Sequence, residues 1–130
     1  MSISNPFPKY IPFLAMTILA STTERSTKNT TWTKVKEIRI RKSGTYRISF
    51  YLYIGDAAAT AYGQIFKNGI AYGTLRSTTS TVQVYFTEDL NFLYGDLFQL
   101  HIRTSNSVYY VYTGGLKFLG ILDFFDALLD

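Results

Sequence analysis

Gly44 to Ile54 reads GTYRISFYLYI, and this stretch decides the fold. Side chains alternate between the two faces of a strand. One face then carries Tyr46, Ile48, Phe50, Leu52 and Ile54, and it is a core face. The other carries Thr45, Arg47, Ser49, Tyr51 and Tyr53, and it turns from polar to aromatic halfway along. A strand that ends in aromatics on both sides needs a second apolar surface. Another sheet, another chain or a ligand can supply it.

The flanking sequence repeats the strand signal. Leu14 to Ser21 is apolar and β-capable, and Ser21 to Thr31 reads as a Ser/Thr-rich loop. Trp32 to Arg41 alternates at its end, with Ile38 and Ile40 opposite Arg39 and Arg41. Ser43-Gly44 is a turn. After a small-residue loop from Gly55 to Thr60, Ala61 to Phe66 and Ile70 to Leu75 flank Lys67-Asn68-Gly69. Asn-Gly tolerates positive φ at both positions and marks a tight hairpin. Arg76 to Ser80 is loop-like. Thr81 to Phe86 alternates with Val82, Val84 and Phe86 inward, and Glu88 to Gly95 leads to a turn at Tyr94-Gly95-Asp96. Leu97 to Arg103 places Phe98, Leu100 and Ile102 on one face. Val108 to Tyr112 and Leu116 to Leu122 are strands separated by a turn at Thr113-Gly114-Gly115. About eight to ten short strands at such spacings indicate an all-β sandwich or barrel. No helical period persists before Leu122, and no fixed-length repeat suggests a propeller or solenoid.

Composition agrees. A chain of 130 residues is one domain, large enough for a core. Aromatics make up 17%, as Tyr and Phe rather than Trp, which suits strands. Charged residues at 17% argue against disorder and against a solvated helical bundle. Cysteine is absent, so packing or association must supply stability, and no thiolate nucleophile or cysteine metal site exists. No segment is long and apolar enough to span a bilayer as a helix. Tyr10 to Ala20 has the spelling of a short signal-peptide core, but Pro12 and the Ile18-Leu19-Ala20 run oppose that reading. The expected organisation is an extended arm at residues 1–13, a β domain at 14–122 and an apolar, acidic tail at 123–130. Pro6, Pro8 and Pro12 extend the arm, with Phe7, Tyr10 and Phe13 between them. Asn29-Thr30-Thr31 spells a glycosylation sequon, which has meaning only in a secretory setting.

Five pieces then occur in series: TWTKVKEIRI, SGTYRISFYLYI, GQIFKNG, LNFLYGDLFQLHI and YYVYTGGLKFLGI. In that order the chain resembles the tumour-necrosis-factor and complement-globular-head superfamily of jelly rolls. In that superfamily a Gly-x-Tyr opens a central strand, a Lys-Asn-Gly hairpin follows, Gly-Asp begins a later strand, and a Gly-rich turn precedes a final aromatic strand. The matching residues are Gly44 and Tyr46; Lys67, Asn68 and Gly69; Leu93, Gly95 and Asp96; and Gly114, Gly115, Phe118 and Gly120. The resemblance spans Ala15 to Ile121. It implies an antiparallel jelly-roll sandwich that assembles as a compact homotrimer. Many such heads sit at the tips of fibres, including viral and phage fibres. With no collagen-like or coiled-coil stalk and no cysteine, the chain departs from the secreted members. A virion or surface-appendage subunit with an attachment role is therefore the expected function, at a virion or extracellular surface.

Tyr51 and Tyr53 point out of the sandwich in this reading, and tyrosine suits an interface. Tyr85 and Phe118 are expected to join them near a three-fold axis. The alternative is a soluble head for protein or carbohydrate, with Tyr62, Tyr72, Asn106 and Tyr109 as a possible ligand surface. A third reading is a basic β-barrel for nucleic acid, on Lys34, Lys36, Arg39, Arg41, Lys42 and Arg47. The bland reading of that cluster is a set of outward-facing cations that discourage edge-to-edge pairing, and it is the one adopted.

Catalysis has little to stand on. His101 is the lone histidine, on the face opposite Phe98, Leu100 and Ile102. It has no second imidazole or thiolate for a metal cluster. Glu88-Asp89 could contribute oxygens to a calcium site, which needs several at once. Asp96 is expected to hold its turn through its side chain. No phosphate loop and no Ser-centred elbow is present. The chain is read as a non-enzyme without cofactor.

Overall fold

In a computed structural model, residues 13–123 are described, with side-chain surroundings from 19 to 120. The arm at 1–12 and the tail at 124–130 lie outside the described residues. Ten strands run in order: β1 (Phe13–Ser21), β2 (Arg25–Thr27), β3 (Thr33–Arg39), β4 (Gly44–Ile54), β5 (Ala61–Lys67), β6 (Ile70–Ala71), β7 (Arg76–Thr78), β8 (Val84–Phe92), β9 (Leu97–Thr104) and β10 (Val111–Asp123).

They form two antiparallel sheets. The first has the order β1-β10-β4-β8, with β2 also on β10; the second has β3-β9-β5-β6, with β7 also on β5. The pairs nest along the chain: β1 with β10, β3 with β9, β4 with β8, and β5 with β7. A long hairpin rolled up so that alternate pairs fall in opposite sheets is a jelly roll.

The core lies between the sheets. The even face of β4 is buried from Tyr46 to Ile54, as its alternation requires. Phe98, Leu100 and Ile102 of β9 face it, with Ile65, Phe92, Val111, Leu116 and Phe118 completing the cluster. Phe98 and Phe118 meet edge to face at 4.6 Å, and Tyr46 meets Phe118 at 5.9 Å. The Tyr46 hydroxyl is satisfied by the Lys42 carbonyl.

Several elements differ from the sequence reading, each for a physical reason. Arg25–Thr27 and Arg76–Thr78 are strands, because an open sheet edge offered their polar backbones partners. Ile70–Ala71 is only a two-residue strand, since Gly73 turns the chain under Ile65 and Glu88. Val82 is exposed and precedes β8, which runs on through Glu88 to Phe92. Thr113-Gly114-Gly115 is a β-bulge inside one long strand rather than a turn. Asn68 (φ 54°) and Gly69 (φ 82°) form the expected hairpin turn. Asp96 holds its turn as expected, accepting from the Leu93 amide at 2.8 Å and from Asn68 Nδ2 at 3.0 Å.

Candidate functional site

The β10 bulge organises the outer face of the first sheet. Val111 to Gly114 pair with Ile54 to Tyr51 in simple register. The next aligned pair is Lys117 with Ser49, so β10 carries one extra residue. Gly115 adopts φ 64° there, a conformation that suits glycine. One extra residue exchanges the faces of everything beyond it. Tyr112 therefore faces outward beside Tyr53, whereas Leu116 and Phe118 face the core. Phe118 is 2% exposed, and its expected place at an outer interface is corrected: the bulge turned it inward.

On the outer face, Tyr51 lies opposite both Gly114 and Tyr85. Gly114 and Gly115 leave β10 bare, and the Tyr51 ring occupies that space. Tyr51 packs against Tyr85 (5.5 Å, edge to face) and against Tyr53 (6.0 Å, stacked). Tyr53 stacks on Tyr112 at 4.5 Å, and Tyr112 meets Tyr110 at 6.0 Å. Lys28 Nζ sits 4.7 Å from the Tyr110 ring centre. Five tyrosines thus form one continuous strip.

Glu24, between β1 and β2, accepts from the Tyr51 hydroxyl at 2.6 Å and from the Tyr53 hydroxyl at 3.0 Å. Burial, then the Glu24 carboxylate, pushes both phenols upward, Tyr53 to about 12. Both therefore stay protonated donors at neutral pH. Tyr51 is only 7% exposed, so it is the floor of the strip rather than its contact surface. Tyr85, at 60%, is the ring most open to a partner. Glu24, Tyr110 and Tyr112 escaped the sequence reading. Tyr112 carried a usable signal, two residues before a Gly-Gly pair on a strand, but Glu24 carried none.

The second sheet bears a different aromatic series. Arg103 lies over Tyr62 (4.1 Å) and Trp32 (4.9 Å); Trp32 meets Phe66 at 5.8 Å, and Phe66 stacks on His101 at 4.0 Å. Both His101 ring nitrogens are buried without a hydrogen-bond partner. Burial, then Lys34, lowers its pKa, so the imidazole is neutral at pH 7. Of the suggested ligand surface, only Tyr62 belongs to this series. Tyr72 lies at the end carrying Phe92, donating to the Asn91 carbonyl at 2.8 Å. Asn106 and Tyr109 belong to the β9–β10 loop at the opposite end, where Tyr109 packs on the core. The four do not form one surface, because β5 separates its two ends by its full length.

The basic residues also divide. Lys36 shares the inner face of β3 with Ile38, is 9% exposed, and donates from Nζ to Ser21 Oγ at 3.0 Å, while the bulge at Val35 leaves Lys34, opposite His101, on the outer face. That corrects the reading of all six as outward-facing. Arg47 is held by Asp89 at 2.9 Å on the first sheet, away from Lys34 and Arg39 on the second. Glu88 and Asp89 point to opposite faces of β8: Glu88 accepts from Thr74, and Asp89 binds Arg47. They cannot share a cation. Among the described residues, no three His, Cys, Asp or Glu side chains group as metal ligands. Also among them, no helix is long and apolar enough to cross a membrane.

No protein-family model and no curated protein sequence matches the chain. The solved structures similar to the chain at low identity include the following three. Rabbit GITRL is 18% identical over 68% of this chain and 78% of its own, with a TM-score of 0.38. The carbohydrate-binding module CBM6cm-2 of Cellvibrio mixtus lichenase 5A, in complex with cellotriose, is 14% identical over 82% and 91%, at 0.37. The C-terminal CBM6 of the Zobellia galactanivorans laminarinase LamC is 10% identical over 85% and 99%, at 0.39. At these scores the jelly-roll assignment rests on the chain's own nested strand order.

Proposed function

We propose that this jelly roll is a non-enzymatic structural and recognition head that assembles as a homotrimer through the tyrosine face of its first sheet. The observation that carries the reading is the continuous strip Tyr85–Tyr51–Tyr53–Tyr112–Tyr110 on one sheet face. A sheet face that meets only water carries polar side chains, whereas a contiguous aromatic patch marks an interaction site. Tyrosine gives large contact area at low entropy cost, and Glu24 fixes two of the rings before any partner arrives. The resemblance to trimeric heads supports a sister chain as the partner. It also supports a virion or surface-appendage setting with an attachment role. The test is Tyr85→Asp, which places a charge at the open end of the strip without touching the core. The variant should elute as a monomer with unchanged far-ultraviolet circular dichroism. An unchanged elution volume removes Tyr85 from the interface.

A second reading, a carbohydrate- or protein-binding head, is favoured by the series Tyr62–Arg103–Trp32–Phe66–His101 on the other sheet. Rings of this kind stack on sugar faces, and Gln64 on the same face of β5 offers its amide oxygen, its Nε2 donating to the Gly73 carbonyl at 2.8 Å. A glycan array probed with the wild type and Trp32→Ala tests it: binding lost in the variant supports the reading, and a blank array for the wild type removes it.

A further inference from the structure

At the end of the sandwich where β4 begins, three turns meet: residues 40–43 between β3 and β4, Asn68-Gly69 between β5 and β6, and residues 93–96 between β8 and β9. Hydrogen bonds tie them into one unit. Ile40 N donates to the Asp96 carbonyl and Gly95 N to the Ile40 carbonyl, each at 2.8 Å. Tyr94 N donates to Ser43 Oγ at 2.7 Å. The Asn68 side chain donates to Asp96 at 3.0 Å and accepts from the Leu97 amide at 2.8 Å.

This tied end holds apolar side chains out in water. Ile70 and Tyr94 are each 73% exposed, and Leu93 is 60% exposed. The turns beside them project: a Cβ added to Gly69 or Gly95 would meet nothing within 4 Å. Arg39, Arg41 and Lys42 are exposed at the same end. Among the described residues, none of those three cations makes an ion pair. Arg39 donates to the Gly95 carbonyl at 3.3 Å, which sets it beside the Leu93-Tyr94 turn. Asp96, the one carboxylate in the three turns, is already occupied by the Leu93 amide and by Asn68. The end therefore combines projecting apolar tips with uncompensated positive charge.

We propose that this end docks on an anionic lipid bilayer, with Ile70, Leu93 and Tyr94 in the interface and Arg39, Arg41 and Lys42 on the headgroups. Charge complementarity selects the anionic surface, since basic side chains beside apolar ones are what draws a peripheral protein to acidic lipids. The shape selects a bilayer over a folded partner. A folded partner must offer a fitted pocket to each projecting tip, whereas a fluid bilayer admits such tips wherever they fall. Tyrosine suits the headgroup level. The site is independent of the tyrosine face, because β4 runs from this end and carries Tyr51 and Tyr53 near its other end.

Flotation of the full chain tests this, with vesicles of equal parts phosphatidylcholine and phosphatidylserine and with vesicles of phosphatidylcholine alone. The chain should float with the first and bind the second about tenfold less or weaker still. Ile70→Ser with Leu93→Ser and Tyr94→Ser should lower binding to the anionic vesicles by about tenfold or more. Arg41→Glu with Lys42→Glu should bring it down to the neutral level, as should high salt. Val82→Ser with Val108→Ser removes two exposed apolar residues at the opposite end, near Leu52 and Ile54, and should float like the wild type. All seven side chains are exposed, so each variant should keep the circular dichroism of the wild type. A wild type that stays unbound on anionic vesicles would overturn the proposal. Flotation that survives the loss of Ile70, Leu93 and Tyr94 would also overturn it, reducing this end to a general polyanion site. An equal loss in the Val82 and Val108 variant would overturn it by removing the preference for this end.

Discussion

Tyr51 lies across Gly114: a Cβ placed on Gly114 would stand 2.7 Å from Tyr51 Cζ. The bare glycine on β10 is what lets a large ring lie down on the sheet and become the floor for Tyr53 and Tyr85. Gly114→Ala should therefore lift the ring and cost about 1–3 kcal/mol, the range for an overpacked site. Chemical denaturation checks the loss. Tyr51→Ala in the same chain should remove most of the penalty of the alanine, because the clash then has no partner. Equal penalties with and without Tyr51 would count against the contact.

Glu24 joins Tyr51 and Tyr53 through one carboxylate. A double-mutant cycle on Glu24→Gln and Tyr51→Phe should give a coupling of about 1 kcal/mol, the net worth of such a hydrogen bond where one partner is solvated. Additive effects would show that the carboxylate does not hold the ring.

Stability should fall between neutral and mildly acidic pH because of His101. Its pKa is lowered from the ordinary 6.5, first by burial. The unfolded chain then binds a proton that the folded chain refuses, so stability declines as pH drops through about 6.5 and levels off below the folded value. Three carboxylates act in a lower window. Glu37 is held down first by Gln99, Asp89 by Arg47 and Asp96 by the Leu93 amide. Their contributions are present above the ordinary carboxylate range and fade as pH falls through about 4. Melting temperatures from pH 7.5 to 5.5 should slope for the wild type and flatten for His101→Gln. A slope unchanged in the variant would assign it to another group.

Phe118 and Tyr85 should separate cleanly in experiment. Phe118→Ala removes a ring that touches Phe98 and Tyr46, and it should cost about 3–5 kcal/mol. At temperatures where the variant remains folded, its assembly mass should equal that of the wild type. A folded variant of lower mass would return Phe118 to the interface.

The period-two alternation of Gly44 to Ile54 was enough to place β4 residue for residue, because both of its faces are constrained. The hairpin at Asn68-Gly69 was equally legible, since positive φ restricts the residue types. β2 and β7 were not, because Arg-Ser-Thr has no apolar period and becomes a strand only when a neighbouring edge is available. The bulges at Gly115 and Val35 were the costliest omissions. Each adds one residue and exchanges faces: the first moved Phe118 from the surface to the interior, and the second leaves Lys34 outside while Lys36 follows Ile38 inward. Tyr51 and Tyr53 were legible as a candidate site. Their partners Tyr110, Tyr112 and Glu24 come from other strands and loops, and only the register of β10 on β4 brings them together.

The central claim is that the tyrosine face is covered by sister chains. Static light scattering of the unmodified protein across the micromolar range tests it most directly. The account predicts a constant mass of three times the 14.8 kDa chain. A mass of one chain throughout that range would contradict it.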